Sequence, residues 1–213
     1  MKKSIIAAGA ASVALAAMPI VGAFAATETV KDSVTATVTA GCAITNPADS
    51  QPAGSTVATN TVAVSATPGG AAGVSNPDAS GYNGITVACN SSNWSVSAIG
   101  GTTGATNTSL YYNDGTTNHE IATGTAASTE ISGDSYWAFK IASLSTSDGV
   151  AVASGYGVFT TIPETPTPVV NGTKSANVTI KPQYQVYANS TQASGAYTGA
   201  VVYTVAVNTG SGS

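Results

Sequence analysis

Residues 178–187 read Val178-Thr-Ile-Lys-Pro-Gln-Tyr-Gln-Val-Tyr187. Val178, Ile180, Tyr184 and Val186 recur at even spacing, which places them on one face of an extended chain with polar residues between them. Pro182 interrupts the run. A proline cannot donate to a ladder, so it marks an edge strand or a bulge. The same period of two recurs along the chain. Trp137, Phe139 and Ile141 alternate within 136–141. Ile85-Thr-Val-Ala-Cys89 and Trp94–Ala98 read as two strands, or one bent strand, around Asn90-Ser-Ser-Asn93. Tyr197, Val201, Tyr203, Val205 and Val207 fall on one face of 197–207, and Tyr156–Thr160 gives a further strand.

The flanking segments fit the same reading. Leu110-Tyr-Tyr112, Asn113-Asp-Gly115 and His119-Glu-Ile121 form a hairpin with an Asp-Gly type of turn. Residues 162–170 carry Pro163, Pro166 and Pro168 and are expected to be an extended connection rather than a central strand. Residues 46–84 are rich in Pro and Gly and read as loop, with a short strand at Thr61–Ala66. Near the N-terminus, Val30, Val34, Ala36, Val38, Ala40, Cys42 and Ile44 share one face and Thr29, Thr35, Thr37 and Thr39 the other. No window between caps shows apolar residues at helical spacing. Seven to ten short strands separated by turns make an all-β chain. The expected fold is a single immunoglobulin-like antiparallel β-sandwich spanning 26–208.

Composition narrows function. Of 213 residues only 8% are charged, none is Arg, and His119 is the only histidine. A chain with no Arg and a net charge of −4 lacks the basic face that nucleic acid requires. One His and two Cys cannot supply a four-ligand zinc site, so no metal or cofactor is expected. Hydrophobic residues make up 43%, enough for a core.

Lys2 and Lys3, the apolar run from Ile5 to Phe24 and Ala23-Phe-Ala25 have the form of a secretory signal peptide cleaved near residue 25. Removing it leaves 4 Lys against 10 acidic residues, a formal charge of −6. Residues 209–213 read as a flexible polar tail, and no later run is long enough to span a bilayer. The mature chain is therefore expected at the cell surface or outside the cell. In that compartment an even number of cysteines favours a disulfide between Cys42 and Cys89. It would close a loop of about 48 residues, worth about 4 kcal/mol in the chain-entropy model. Cys42 shares the apolar face of its strand, so the bond should be buried. The alternative is a pair of free buried thiols.

Catalytic constellations are thin. His119 and Glu120 are neighbours on a strand and point to opposite faces, so His119 reads as a solvated hairpin residue. Asp114, Asp134 and Asp148 adjoin glycines and read as turn residues, with a calcium loop as the alternative. No activity of hydrolase, transferase or redox type is expected. Trp94, Trp137, Phe139, Tyr184 and Tyr203 are expected in the core. Tyr82, Tyr111, Tyr112 and Tyr187 either pack or form an exposed platform on which a sugar could stack.

Several short motifs carry a resemblance. They are the strand ending at Cys42, Ile85-Thr-Val-Ala-Cys89, Leu110-Tyr-Tyr-Asn113, Ile180–Tyr187, and the terminal Gln192-Ala-Ser-Gly-Ala-Tyr-Thr-Gly-Ala-Val-Val-Tyr-Thr-Val205. Their layout resembles the spore coat protein U and fimbrial-subunit group, with a weaker likeness to WxL-type surface domains. The resemblance implies a secreted β-sandwich with a disulfide linking its first two strands. It also implies a structural role, as a pilin-like or coat-like subunit that meets copies of itself or other surface proteins. The alternative is an adhesin or carbohydrate-binding module that presents tyrosines to glycans. For assembly, residues 26–40 could complete their own sandwich or add to a neighbour's edge. The terminal strand 197–207 favours a self-complete domain.

Overall fold

The computed structural model describes residues 40–45, 57–59, 64–78, 84–102, 105–106, 108–125 and 133–208. The segment read as a signal peptide, the alternating segment 26–39, Tyr82 and residues 209–213 lie outside them. The described residues are all β-strand, turn and loop, with no helix among them. The chain is an all-β protein of two facing sheets, as the period-two pattern implied.

The thirteen described strands are β1 (Cys42–Thr45), β2 (Val57–Thr59), β3 (Gly73–Val74), β4 (Ile85–Cys89), β5 (Trp94–Thr102), β6 (Ala105–Thr106) and β7 (Leu110–Asn113). They continue with β8 (Asn118–Thr123), β9 (Tyr136–Leu144), β10 (Val150–Val152), β11 (Thr167–Gly172), β12 (Ala176–Tyr187) and β13 (Val201–Val207). One sheet has the order β1-β4-β12-β9-β8-β7, with β3 also on β12. The other has the order β10-β11-β5-β13-β2, with β6 on β5. Residues 85–89 and 94–98 are thus two strands in two different sheets.

Ile85, Val87, Val178, Ile180, Tyr184, Val186, Trp137, Phe139 and Ile141 line the inner face of the first sheet, and all are buried. Trp94, Val96, Ala98, Val150, Val170, Val201, Tyr203 and Val205 answer from the second. The Tyr184 and Tyr203 hydroxyls meet between the sheets in a buried hydrogen bond of 2.8 Å. Two polar groups that would be costly alone satisfy each other there. Gly172 on β11 lies against the indole of Trp94, and a Cβ at that position would collide with the ring. The indole N–H donates to the Lys174 carbonyl at 2.9 Å.

Two expectations need correction, and one holds. Pro182 marks a bulge, one of the two readings given to it: β12 pairs with β4 over Ala176–Ile180 and with β9 over Ile180–Tyr187. The ladder tolerates it because a bulge falls between Lys181 and Pro182, beyond the reach of β4. Residues 167–172 are an internal strand and not a connection: β11 pairs with β5 and β10, and its register shifts between Pro168 and Val170. Pro168 again occupies the irregular position, outside the Val170–Gly172 stretch that meets β10. Finally, the sandwich is not wholly antiparallel. β8 runs parallel to β9, with Ala122 opposite Tyr136, because the connection between them is long enough to cross over.

Smaller differences follow from loops that look like strands. Residues 156–160 form a turn and a single bridge, Phe139 to Thr160, instead of a strand. Val64–Ala66 carries no strand, while a short one lies earlier, at Val57–Thr59. The terminal strand begins at Val201 and leaves Tyr197 in the preceding loop.

Candidate functional site

The strand registers sort the chemistry-bearing residues into two ends of the sandwich. At one end lie Cys42 opposite Cys89, Ala176 opposite Cys89, and Val207 and Gly172 opposite Trp94. At the other lie Tyr187 opposite Tyr136, and Val201 opposite Gly100, with the β7–β8 hairpin extending beyond them.

The first end is stapled. Cys42 and Cys89 are disulfide-bonded across adjacent antiparallel strands, with Cα atoms 4.1 Å apart. The next pair outward carries the hydrogen bonds: the Asn90 amide donates to the Gly41 carbonyl at 3.1 Å, and the Gly41 amide donates to Asn90 Oδ1 at 2.6 Å. The cystine therefore occupies a non-hydrogen-bonded position, where side chains stand closest. Cys89 is buried at 6% exposure, but Cys42 is only half-buried because β1 is the outermost strand of its sheet. The expected burial of the bond holds for one sulfur and not the other. The far end of the domain is fastened at the same turn. The Asn208 amide donates to the Asn93 carbonyl at 3.0 Å, and the Ser95 hydroxyl bonds Asn208 Oδ1 at 3.1 Å.

The second end is aromatic. Tyr112 on β7 stands directly opposite His119 on β8, and their rings stack with centroids 5.9 Å apart. Tyr197 tilts against the other part of Tyr112 at 5.6 Å. A Cβ on Gly195 would strike the Tyr112 ring, so this loop can pass only as glycine. The Tyr197 hydroxyl donates to the Ala193 carbonyl at 2.9 Å and accepts from the Gln192 amide at 2.6 Å. The Tyr111 amide and carbonyl pair with Thr198 at 2.9 and 2.8 Å, which ties the loop to the edge of β7. Beneath the loop a groove of about 330 Å³ opens between Val64–Pro68 and the side chains of Leu110, Ile121 and Val186.

Of the four tyrosines read as either packed or forming a platform, the three described ones are placed apart. Alternation puts Tyr111 on the outer face of its sheet, 38% exposed, and Tyr112 on the inner face against His119. Tyr187 stacks on buried Tyr136 at 5.6 Å. Tyr82 lies outside the described residues.

His119 and Glu120 do diverge, as strand neighbours must. Glu120 accepts from the Ser109 hydroxyl at 2.5 Å. His119, however, has a partner: its Nε2 lies 2.9 Å from Asp114 Oδ2. Asp114 Oδ1 also accepts from the Thr116 and Thr117 amides at 2.8 and 2.7 Å, closing a four-residue turn with Gly115 at φ 96°. His119 beside it, with those two amides, holds the Asp114 carboxyl well below the usual carboxylate range. Asp148 pairs with Lys174 and Asp78 with Lys181. Among the described residues no three His, Cys, Asp or Glu side chains converge as metal ligands would.

Sequence reading missed Tyr197, Gln192 and the Asp114–His119 pair. Gly195 and Gly199 flanking Tyr197 were the available sign that the terminal strand had not yet begun. The chain matches no protein-family model and no curated protein.

Proposed function

We propose that this protein is a non-enzymatic structural component of the extracellular surface, a coat-like or pilin-like subunit. The observation that carries the reading is the covalent and hydrogen-bonded fastening of both described chain ends at the Asn90–Asn93 turn. A cystine there suits an oxidising compartment. The fastening spans the domain's first and last strands, the arrangement wanted where load or proteolysis reaches the protein from outside. The aromatic groups of the opposite end are engaged with one another and with backbone, which favours packing over catalysis.

Electron microscopy of the native cell surface with a specific antibody, alongside non-reducing electrophoresis, tests this. Label on filaments or a coat, or a ladder of multimers, is the expected result. Label dispersed in the medium as monomer removes the structural reading. A second reading, an adhesin for neutral glycans, draws on Tyr111 alone, exposed at the hairpin end. It requires glycan binding that Tyr111→Ala abolishes.

A further inference from the structure

The stapled end presents its disulfide to solvent in an unusual setting. The bond joins β1 to β4, and β1 is a four-residue strand at the edge of the sheet, with β4 as its one neighbour in the strand order. A shallow depression of about 490 Å³ lies over the bond. Its walls are Gly41, Ala43, Ala88, Asn90 and Ala176 around the two cysteines. Apart from Asn90, no wall residue has a side chain larger than a methyl group, and none is charged. A cystine under bulky side chains can be reached only after the fold opens. Here Cys42, the less buried residue of the pair, lines an open, neutral hollow.

We propose that Cys42–Cys89 is a site of thiol–disulfide exchange in the native protein, accepting electrons from a dithiol, and that its reduction releases β1 without unfolding the sandwich. The partner's thiolate attacks Sγ of Cys42, the less buried of the two cysteines. The S–S bond breaks, a mixed disulfide forms on Cys42, and Cys89 leaves as a thiolate that takes a proton from water. The partner's second thiolate then attacks its own sulfur in the mixed disulfide and releases Cys42. Two electrons have passed to the protein, and the partner ends as a disulfide. Exposed disulfides are the reducible ones, while shielded ones resist. Once the bond is gone, β1 is held by a four-pair ladder on one side, by the Gly41–Asn90 hydrogen bonds and by one core side chain, Ile44. Release of β1 leaves β4 as the new edge, still paired with β12, while β12 and β9 keep neighbours on both sides over much of their length. Local opening follows such differences in support.

Dithiothreitol serves as the dithiol probe, with no denaturant present and iodoacetamide trapping followed by mass spectrometry. Native protein should be reduced at a rate within about tenfold of the urea-unfolded chain, since no opening step precedes attack. Early quenching should find the mixed disulfide on Cys42. After reduction, hydrogen exchange should rise at Ala43–Thr45 while β9 and β12 stay protected. Ala176→Leu, which fills the hollow, should slow native reduction at least tenfold and leave the rate of the unfolded chain unchanged. Native reduction about a hundredfold or more slower than in urea overturns the proposal, because exchange would then wait on unfolding. Loss of protection throughout the sandwich on reduction overturns it too. So does an Ala176→Leu variant that is reduced as fast as the parent.

Discussion

The two ends of this sandwich close by opposite means. At the stapled end a disulfide, the Gly41–Asn90 and Asn93–Asn208 hydrogen bonds and small side chains hold the strands together. At the hairpin end Tyr112, His119, Tyr197, Tyr136 and Tyr187 pack ring on ring. Small residues let backbones approach but bury little area, so that end depends on a covalent bond and on one large side chain, Trp94, seated on Gly172. Rings bury more area for each residue, but Tyr112, His119 and Tyr197 lie on a hairpin and loop, and only Tyr136 and Tyr187 belong to core strands. Damage to the stapled end should therefore reach global stability, and damage to the hairpin end should stay local.

The largest expected effect is Trp94→Ala. It empties a fully buried site at the stapled end and removes the bond to Lys174, at a cost of about 3–5 kcal/mol. The midpoint of urea denaturation reads this directly. The comparable hairpin-end change, Tyr112→Ala, removes a half-buried ring and should cost only about 1 kcal/mol. Equal losses at the two sites would abolish the distinction between the ends.

Next comes removal of the staple. Cys42→Ser with Cys89→Ser should lower stability by about 2–4 kcal/mol through the longer reach of the unfolded chain. Under oxidising conditions the variant should differ from the parent, and under full reduction the two should unfold alike. A gap that persists under reduction would mean the cysteines act through packing instead.

These contrasts mark what was legible in the sequence. The core was, because alternation at 85–89, 94–98, 136–141 and 178–186 depends only on which face is buried. The cystine followed from compartment and parity. Irregular positions were not legible. Pro182 left an edge and a bulge equally open, and Pro168 looked like a sign against an internal strand; a bulge absorbs both, and a bulge depends on where the neighbouring strand stops. Nor could the chain alone show that β8 would lie parallel to β9, since that is set by the crossover between them. For the tyrosines, which the sequence left as packed or exposed, the deciding fact is local: Tyr111 and Tyr112 are consecutive, and strand geometry separates them. Tyr197 was assigned to a strand because its spacing to Val201 and Tyr203 matched, although Gly199 already broke the run.

A smaller effect probes the region between the ends. Tyr184→Phe leaves the Tyr203 hydroxyl without this partner inside the sandwich and should cost about 1 kcal/mol. Placed midway, it should lower global stability, unlike Tyr197→Phe, whose hydroxyl bonds only to its own loop. Hydrogen exchange should separate the two. The first should raise exchange in β12 and β13, and the second only around residues 192–198.

The smallest expected effect concerns acid and the hairpin tip. Asp114 is exposed, yet His119, the Thr116 amide and the Thr117 amide all favour its charged form. Its folded value lies below the ordinary 3.8 of the free side chain. A carboxylate with a lowered folded value stabilises the folded form fully above the ordinary value, and loses that contribution as pH falls through the folded one. The turn at 114–117 should therefore stay closed from neutral pH down to about pH 4 and loosen only in stronger acid. Amide exchange at Thr116 and Thr117, corrected for its intrinsic pH dependence, is the measurement. Asp114→Asn should remove the acid transition. His119→Gln should move it up toward the ordinary carboxylate range, because the largest of the four favourable contacts is gone. Both changes should leave the urea midpoint of the whole domain almost unmoved, since the tip lies beyond the core. A shift of that midpoint comparable to the loss of the cystine would show that the hairpin end carries global load after all.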